Sequence, residues 1–403
     1  MKRALIALFT IASVCLLMTF FVANIAEKEI KELFSQQENT DISVELLDYQ
    51  RNFFSATAVT MLTIKDDINS DLLLKITSTV HHYPYQASIK STIELQDETL
   101  AQKAEHYFGT PQWIISEEKI SLFSKLTGKL MILAGSYESE SESWSTEPLL
   151  LDYEMDLKQK SGDFNLSWAG MTGIEQKQII KLKSLSVSSH FSQLIKENDY
   201  NYLLNVASVN IQENDEKSLF EGISLEGRSQ QGTQKETIDT SNELIIKTYQ
   251  INENNKETFT DNHIKLSLTG LYQPALKLLS EGVSDTHEIE NALSELVHHG
   301  AQLTLSQLTS QTPWGEVDGN LDLTLDKGAS LTNIMINPYI LFDHISGDAS
   351  LVLPLGLLEE PEIAEPLKVG LASGLLVRGE QTINLQTSFQ QGELKVNGKV
   401  IPL

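Results

Sequence analysis

An apolar stretch close to the amino terminus constrains this chain more than any other feature. Residues 4–26 contain no charged side chain, and the basic pair Lys2-Arg3 precedes them. About 20 apolar residues are enough for a helix to cross the hydrocarbon core of a bilayer. Basic residues ahead of a span favour the cytoplasmic side. We therefore predict a transmembrane anchor over residues 4–26, a cytoplasmic tip over residues 1–3, and an exported body.

Two other kinds of amino-terminal segment fit this stretch less well. A cleaved signal peptide has an apolar core of about 7–15 residues and small residues at its cleavage site. The two candidate sites here would place Phe21 or Asn24 where a small residue is needed. A lipoprotein signal has a small residue directly before the modified cysteine, but Val14 precedes Cys15. The sequence therefore predicts an uncleaved anchor.

Charge and cysteine content exclude several classes of function. The formal net charge is −25, from 55 acidic and 30 basic residues. Such a body repels phosphate groups, so we predict no nucleic-acid partner. Cys15 is the only cysteine, and it lies within the predicted anchor. The exported body therefore has no intrachain disulfide, thiolate nucleophile or cysteine metal site.

The body, residues 40–403, shows the two-residue alternation of β-strands. Six runs rich in β-branched residues carry this pattern: 55–64, 72–80, 87–95, 203–211, 243–251 and 264–269. Short polar breaks between such runs are typical of antiparallel hairpins. We therefore predict a mainly β (α+β) fold, in which the transmembrane helix is followed by a long, curved antiparallel sheet with a few covering helices. A body of two parts, divided near 210–240, is the alternative.

Helical spacing of apolar residues continues the anchor as a stalk to about residue 37 and recurs in the body. Further helices are predicted over 97–107, 272–280, 285–299 and 361–373. The acidic segment 137–145 has no periodicity and predicts an exposed loop. The stretch 375–401 predicts a closing pair of hairpins.

Chemistry-bearing residues form no convincing active site in the sequence. Glu295 and His298 are three residues apart on a predicted helix, a spacing found in carboxylate-bridged metal sites, but the further ligands are lacking. We predict no catalytic residues, no cofactor and no metal, with Glu295 and His298 as the only weak metal candidates. An apolar sheet face that is not covered by helices would form a groove. Candidate lining residues are Leu72, Leu74, Ile76, Leu351 and Leu353.

Four segments resemble the bacterial family DUF945, the YdgA-like envelope proteins. They are Leu47–Ser55 (LDYQRNFFS), Val80–Tyr85 (VHHYPY), Trp168–Met171 (WAGM) and Gly392–Ile401 (GELKVNGKVI). The positions that match the family's motifs are Arg51, Phe54, Ser55, His82, Pro84, Trp168, Asn397 and Gly398. Asn52 and Tyr83 depart from the pattern, since both stand where the family has glycine.

The resemblance implies a location and an architecture but no chemistry, because the family has no defined function. Its members are similar to periplasmic proteins anchored in the inner membrane of Gram-negative bacteria. Their layout, an anchor followed by a long sheet, is similar to that of AsmA-like proteins implicated in lipid traffic. This second likeness is an analogy of architecture only.

Three hypotheses for function follow. The first is a non-enzymatic envelope protein held in the inner membrane by residues 4–26, whose body binds a protein partner or a second copy of itself. The second is a carrier that holds lipid or another apolar ligand along the sheet. The third is an enzyme with an unfamiliar site.

Overall fold

Extended backbone dominates this protein, with about 60% of the described residues in strands. The structure is a computed structural model that describes residues 2–35, 42–65, 71–192, 199–214, 216–251, 257–280 and 286–401. For residues 2–11, 34, 35 and 280 it describes the backbone alone. Contacts divide the chain into two units, Met1–Lys196 and Glu197–Leu403. Most of the described residues in the polar run 210–240, considered above as an alternative division, belong to strands of the second unit.

The first unit contains two helices and eleven strands among its described residues. The helices are α1 (Lys2–Ser35) and α2 (Glu98–Phe108). The strands are β1 (Ile42–Arg51), β2 (Ser55–Ile64), β3 (Leu72–His82), β4 (Gln86–Leu95), β5 (Ile114–Ser121), β6 (Lys125–Ile132), β7 (Gly135–Glu138), β8 (Glu142–Thr146), β9 (Leu149–Asp156), β10 (Ser161–Glu175) and β11 (Gln178–Ser192).

These strands form an antiparallel sheet in which most neighbours in sequence are neighbours in space. Strands β1 to β6 pair in sequence order, and β6 then pairs with β9. Strand β9 pairs with β10, and β10 pairs with β11. The predicted loop over 137–145 is wrong, because β7 and β8 form a hairpin there and β8 pairs with β10. Gly173 of β10 makes this pairing possible, since a side chain at that position would collide with the ring of Trp144.

Helix α1 covers one end of the sheet with its carboxyl-terminal half. Val22, Ala26 and Ile30 recur every four residues and are buried, so they form one helix face. They pack in a cluster with small residues of β2, including Ala56 and Ala58. The small side chains let the helix backbone approach the sheet closely. The main core of the first unit therefore lies between α1 and strands β2 to β6.

The structure does not test the predicted anchor. Among the described residues, no helix combines the length and the apolar character that crossing a membrane requires. Residues 4–11 of the predicted span have no described side chains. The helix continues without a break past the span and ends at Ser35, and residues 36 and 37 of the predicted stalk lie outside the described residues.

The second unit also has an antiparallel sheet. Its strands are β12 (Asp199–Glu213), β13 (Glu216–Gln231), β14 (Thr237–Ile251), β15 (Glu257–Tyr272), β16 (Ala301–Thr312), β17 (Gly315–Leu325), β18 (Ile345–Pro354), β19 (Val377–Arg378), β20 (Thr382–Gln390), β21 (Glu393–Val396) and β22 (Lys399–Ile401). Strands β12 to β18 pair in order, β18 pairs with β20, and β20 to β22 close the sheet.

The helices of the second unit lie between strands. They are α3 (Gln273–Ser280), α4 (Thr286–His299), α5 (Leu331–Ile336) and α6 (Pro361–Ser373), with 3-10 helices at Pro338–Asp343 and Leu355–Glu359. The predictions of α2, α3, α4 and α6 are confirmed, as are the closing hairpins. A compact core forms where Leu357 and Leu367 pack on Ile383.

Candidate functional site

A hollow opens at one end of the first unit, between α1 and two hairpin turns. The turns join β1 to β2 and β3 to β4, and the pairing of Ser55 with His81 places them side by side. The hollow has a volume of about 560 Å³ and is open to solvent. Its lining residues are Ala12, Cys15, Leu16, Thr19, Phe54, His81, His82, Tyr83 and Pro84.

Five of the eight motif positions meet at this hollow. Phe54, His82 and Pro84 line it, and Ser55 and Arg51 end the strands beside it. The backbone amide of His82 donates to the carbonyl of Phe54 over 2.8 Å, which ties the two turns together. Two motifs that are far apart in sequence therefore build one local structure.

His82 is one of two buried polar residues that line the hollow, with 4% of its surface exposed; the other is Thr19 at 3%. The Nδ1 atom of His82 lies 3.2 Å from the carbonyl oxygen of Phe53. A carbonyl only accepts, so Nδ1 carries the proton and Nε2 is an acceptor. Nε2 is buried and has no hydrogen-bond partner in the structure. Burial lowers the pKa of His82 more than the bond to Phe53 raises it. The ring is thus a neutral acceptor able to take a hydrogen bond from a ligand hydroxyl or N–H group.

An ion-pair cluster fixes α1 beside the hollow. The Nη1 atom of Arg51 donates to Glu27 Oε2 over 2.8 Å and to Asn24 Oδ1 over 2.7 Å. Lys31 donates to the other Glu27 oxygen over 2.7 Å. The hydrogen bonds from Lys31 and Arg51 hold the pKa of Glu27 below its usual value. Burial raises the pKa of nearby Tyr49 to about 12, so its hydroxyl stays protonated. The cluster therefore holds the helix in place. The Glu27 carboxylate is already paired and the Tyr49 hydroxyl stays protonated, so neither group is prepared for catalysis.

The other three motif positions lie away from the hollow and have structural partners. The indole N–H of Trp168 donates to Thr146 Oγ1 and to the carbonyl of Glu147, each over 3.1 Å. Asn397 and Gly398 both have positive φ and form the two-residue turn between β21 and β22. The Asn397 side chain also donates to the carbonyl of Leu375 over 2.8 Å. These contacts set the strand positions.

The two weak metal candidates take part in hydrogen bonds through their main-chain carbonyl groups. His299 follows His298 on α4, stacks on Tyr272 with ring centroids 3.7 Å apart, and bonds the carbonyl of Glu295. The carbonyl of His298 accepts from the amide of Gly328 over 2.8 Å. Within the described ranges, no three His, Cys, Asp or Glu side chains are grouped closely enough to hold a metal ion.

One face of the second unit's sheet is mainly aliphatic across eight strands, β12 to β18 and β20. Residues that pair directly across antiparallel strands share a face. We call the following set the apolar face: Leu204, Val206, Ile223, Leu225, Leu244, Ile246, Ile264, Leu266, Leu268, Leu303, Leu305, Leu308, Leu321, Leu323, Leu351 and Leu385. Only Val206 among them is fully buried, and Ile264 is 41% exposed. The others are half-buried, so this face is partly open.

The opposite face of this sheet is polar. Glu243 accepts from His263 Nε2 over 2.7 Å and from Lys265 over 3.0 Å. The bond from Lys265 is the main cause of a lowered Glu243 pKa, so this carboxylate stays charged. Gln302 donates to both oxygens of Asp322 over 3.0 Å. The two faces of this sheet therefore differ strongly in polarity.

Comparison with known proteins gives a family and no function. The model of the family DUF945, described as a bacterial protein of unknown function, matches residues 1–403. This chain belongs to DUF945. No curated protein and no solved structure matches it. The resemblance noted in the sequence is confirmed at the level of the family.

The predicted lining residues of this DUF945 protein fall into three environments. Leu351 lies on the apolar face. Leu353, two residues later, packs instead in the core around Ile383. Leu72, Leu74 and Ile76 are half-buried on β3, on the same face as buried Val80 but farther from α1.

One buried carboxyl group of this DUF945 protein was not among the residues identified from the sequence. Glu118 on β5 faces the core side of the sheet and bonds Ser116 and the hydroxyl of Tyr153. Its Oε2 is buried without a partner. Burial raises the pKa of Glu118, although the two hydroxyl groups lower it in part. Since neighbouring Glu117 looks identical in the sequence, only the packing distinguishes the two.

Proposed function

We propose that this DUF945 protein is a non-enzymatic bacterial envelope protein that holds the acyl chains of lipids along its apolar face. Residues 4–26 anchor it in the inner membrane, with the amino terminus in the cytoplasm and the body in the periplasm. The uncharged stretch after Lys2-Arg3 and the family resemblance support this location.

The observation that carries the proposal is the composition of the apolar face. Sixteen aliphatic side chains form this face, while the same strand register adds only two aromatic residues to it, Tyr202 opposite Gly227 and Phe389 opposite Gly347. The centres of protein–protein interfaces are instead enriched in aromatic residues, Met and Arg. Sites for apolar small molecules are lined mainly by hydrophobic side chains. The composition therefore favours lipid over a protein partner, which reverses the order of the two sequence-based hypotheses.

The size of the face fits an acyl chain. Strands in a sheet lie about 4.8 Å apart, so eight strands span roughly 34 Å. One leaflet of a bilayer has a hydrocarbon depth of about 15 Å, half of the 30 Å core. An acyl chain can therefore lie across the strands with its full length in contact with aliphatic side chains.

A protein partner or a second copy of the chain is the second candidate occupant. An aromatic ladder on the same unit favours it. Phe220, Tyr249 and Phe259 stack with centroids 4.4 and 5.8 Å apart, and Trp314 meets the last ring edge-on at 6.0 Å. Aromatic anchors of this kind are frequent hot spots of protein interfaces.

Photo-crosslinking from the two faces of one strand tests the proposal. A benzophenone amino acid replaces Leu323 on the apolar face, and in a control it replaces Thr324, whose side chain points to the opposite face. After irradiation in cells, intact mass is measured on the purified full chain. We expect a phospholipid-sized mass gain at Leu323 and none at Thr324. A protein-sized adduct at Leu323 would support the second candidate, and equal labelling at both positions would contradict both.

A further inference from the structure

Four turns lie at the same end of the first unit's sheet. They join β1 to β2, β3 to β4, β5 to β6 and β9 to β10. Pairs at the strand ends align them, since Gln86 pairs with Ser121 and Lys125 pairs with Asp156. We call these turns the tips; they comprise residues 52–54, 83–85, 122–124 and 157–160.

The tips expose large aromatic side chains. Phe54 is 60% exposed, Tyr85 62% and Phe123 78%, and Phe53 and Tyr83 are exposed as well. Apolar surface left in water costs about 25 cal/mol per Å². Five such side chains on adjacent turns form a patch of the kind that marks an interaction surface.

The charge of the tips is the reverse of that of the chain. The tips contain no Asp or Glu, although the chain has 55 acidic residues, and they include exposed Lys158 and Lys160. The opposite end of the same sheet is acidic, with Glu138, Glu140 and Glu142 in and beside the β7–β8 turn. A surface that is aromatic and basic suits the headgroup layer of a bilayer.

An apolar helix surface continues the patch. Ala12, Cys15 and Leu16 of α1 line the hollow together with Phe54 and Pro84 of the tips. On the same part of the helix, Leu16, Leu17, Phe20 and Phe21 are exposed. Tip and helix surfaces are therefore contiguous.

We propose that the tips insert into the interfacial layer of a phospholipid bilayer, so that the first unit rests on the membrane around its own anchor. The inference rests on the proposed anchoring by α1. It goes further, because a helical stalk alone would leave the sheet at a distance from the membrane. Here Val22, Ala26 and Ile30, at and just beyond the end of the predicted span, are already packed on the sheet, so the part of the helix left for the membrane ends near Phe21.

Distances along the helix agree with this placement. From Lys2 to Phe21 an α-helix rises about 29 Å, close to the roughly 30 Å of a hydrocarbon core. The Arg51 guanidinium lies 5.4 Å from the ring of Phe20, and the tips extend beyond Arg51 to the level of Ala12 to Thr19. Along the helix axis this level lies roughly 1.5–12 Å on the membrane side of Phe20, a range that includes the 5–10 Å to which apolar side chains enter the interface.

Depth-dependent quenching on the full chain tests this inference. Cys15→Ala removes the only native cysteine, and single cysteines at Leu17→Cys, Phe123→Cys and Lys177→Cys then carry an NBD label. The proteins are reconstituted in phosphatidylcholine liposomes that contain spin-labelled lipids. Lys177 is exposed in the β10–β11 turn, at the opposite end of the sheet. We expect the Phe123 label to be quenched about threefold more than the Lys177 label.

The three positions separate the two proposals. If the Leu17 label is not quenched, the proposed anchor is wrong. If the Leu17 label is quenched but the Phe123 label matches the Lys177 label, the anchor stands and the interfacial inference is overturned. The triple substitution Phe53→Ser, Tyr83→Ser and Tyr85→Ser should lower the quenching at Phe123, and unchanged quenching would refute the role of the aromatic tips.

Discussion

At the scale of single residues, burial decides which of the many polar side chains matter. The sequence contains two adjacent histidines at positions 81 and 82, and only His82 points into the core side of the sheet. Its ring is neutral, and its buried Nε2 is a hydrogen-bond acceptor without a partner. The family motif identified His82, but the acceptor state follows from the carbonyl of Phe53, which periodicity alone does not place.

Glu118 gives a pH-dependent prediction. Because burial raises its pKa, the folded protein binds this proton more tightly than the unfolded chain does. Glu118 therefore favours folding most at acidic pH, below the ordinary value of 4.5, and this contribution declines as pH rises through the raised pKa. We expect Glu118→Gln to remove that decline and to raise the free energy of unfolding at neutral pH by about 1–2 kcal/mol.

Urea denaturation across a pH series measures this effect. The control is Glu117→Gln on the same strand, because Glu117 points to the solvent side, where it pairs with Lys90. That substitution should leave the slope of stability against pH nearly unchanged above pH 5. If Glu118→Gln made the protein less stable than the parent at neutral pH, the conclusion that burial disfavours the charged form of Glu118 would be wrong.

At the scale of elements, residue periodicity predicted well whether a segment is a helix or a strand, but it predicted poorly which elements pack against each other. Local spacing of apolar residues predicts the alternating strands and the helices α2, α3, α4 and α6. This is possible because the apolar face of a helix or strand depends only on residues close together in sequence. The β7–β8 hairpin was missed, since its stability comes from Trp144 over Gly173 of a distant strand. Likewise, the apolar character of α1 was evident, whereas its packing on the alanines of β2 was not.

The packing of α1 on the sheet predicts the effect of enlarging a helix residue. Ala26 is fully buried against the cluster that contains Ala56 and Ala58. Ala26→Leu should therefore lower the free energy of unfolding by about 1–3 kcal/mol through overpacking. The measurement is urea unfolding of the detergent-solubilised full chain, with Val14→Leu as a control at an exposed position of the same helix. Equal midpoints for both variants would show that α1 does not lie on the sheet.

At the scale of the whole molecule, the sequence established the β-rich class and the family, but not which apolar strands would be covered. Leu351 and Leu353 have the same residue type and strand, yet one lies on the partly open face and the other in a closed core. Covering depends on the helix Pro361–Ser373 and the 3-10 helix before it, which reach Leu353 and not the face as a whole. Strand periodicity cannot predict which residues a helix will cover, because that depends on packing between segments far apart in sequence.

Because the apolar face is partly open, we expect its side chains to be replaced by alanine at an unusually low cost in stability. Leu305 is only half-buried, so Leu305→Ala should cost about 1 kcal/mol, mainly the transfer of part of a side chain. Ile383 has no exposed surface, and Ile383→Ala should cost about 3 kcal/mol because it leaves a cavity. Urea titration of both variants in lipid-free protein compares them. Equal costs would mean that another part of the chain covers the face.

The cluster under α1 has a consequence for the order of assembly. Helix α1 is synthesised first, but its cluster is completed by Ile120 and Leu126, about a hundred residues later. At 5–20 residues per second, the helix waits roughly 5–20 s for its partner strands. A helix that is already inserted in a bilayer spends this interval without exposing its apolar surface to water. The first unit is then built strand by strand against a fixed helix, and strand β6 supplies the last fully buried member of the cluster.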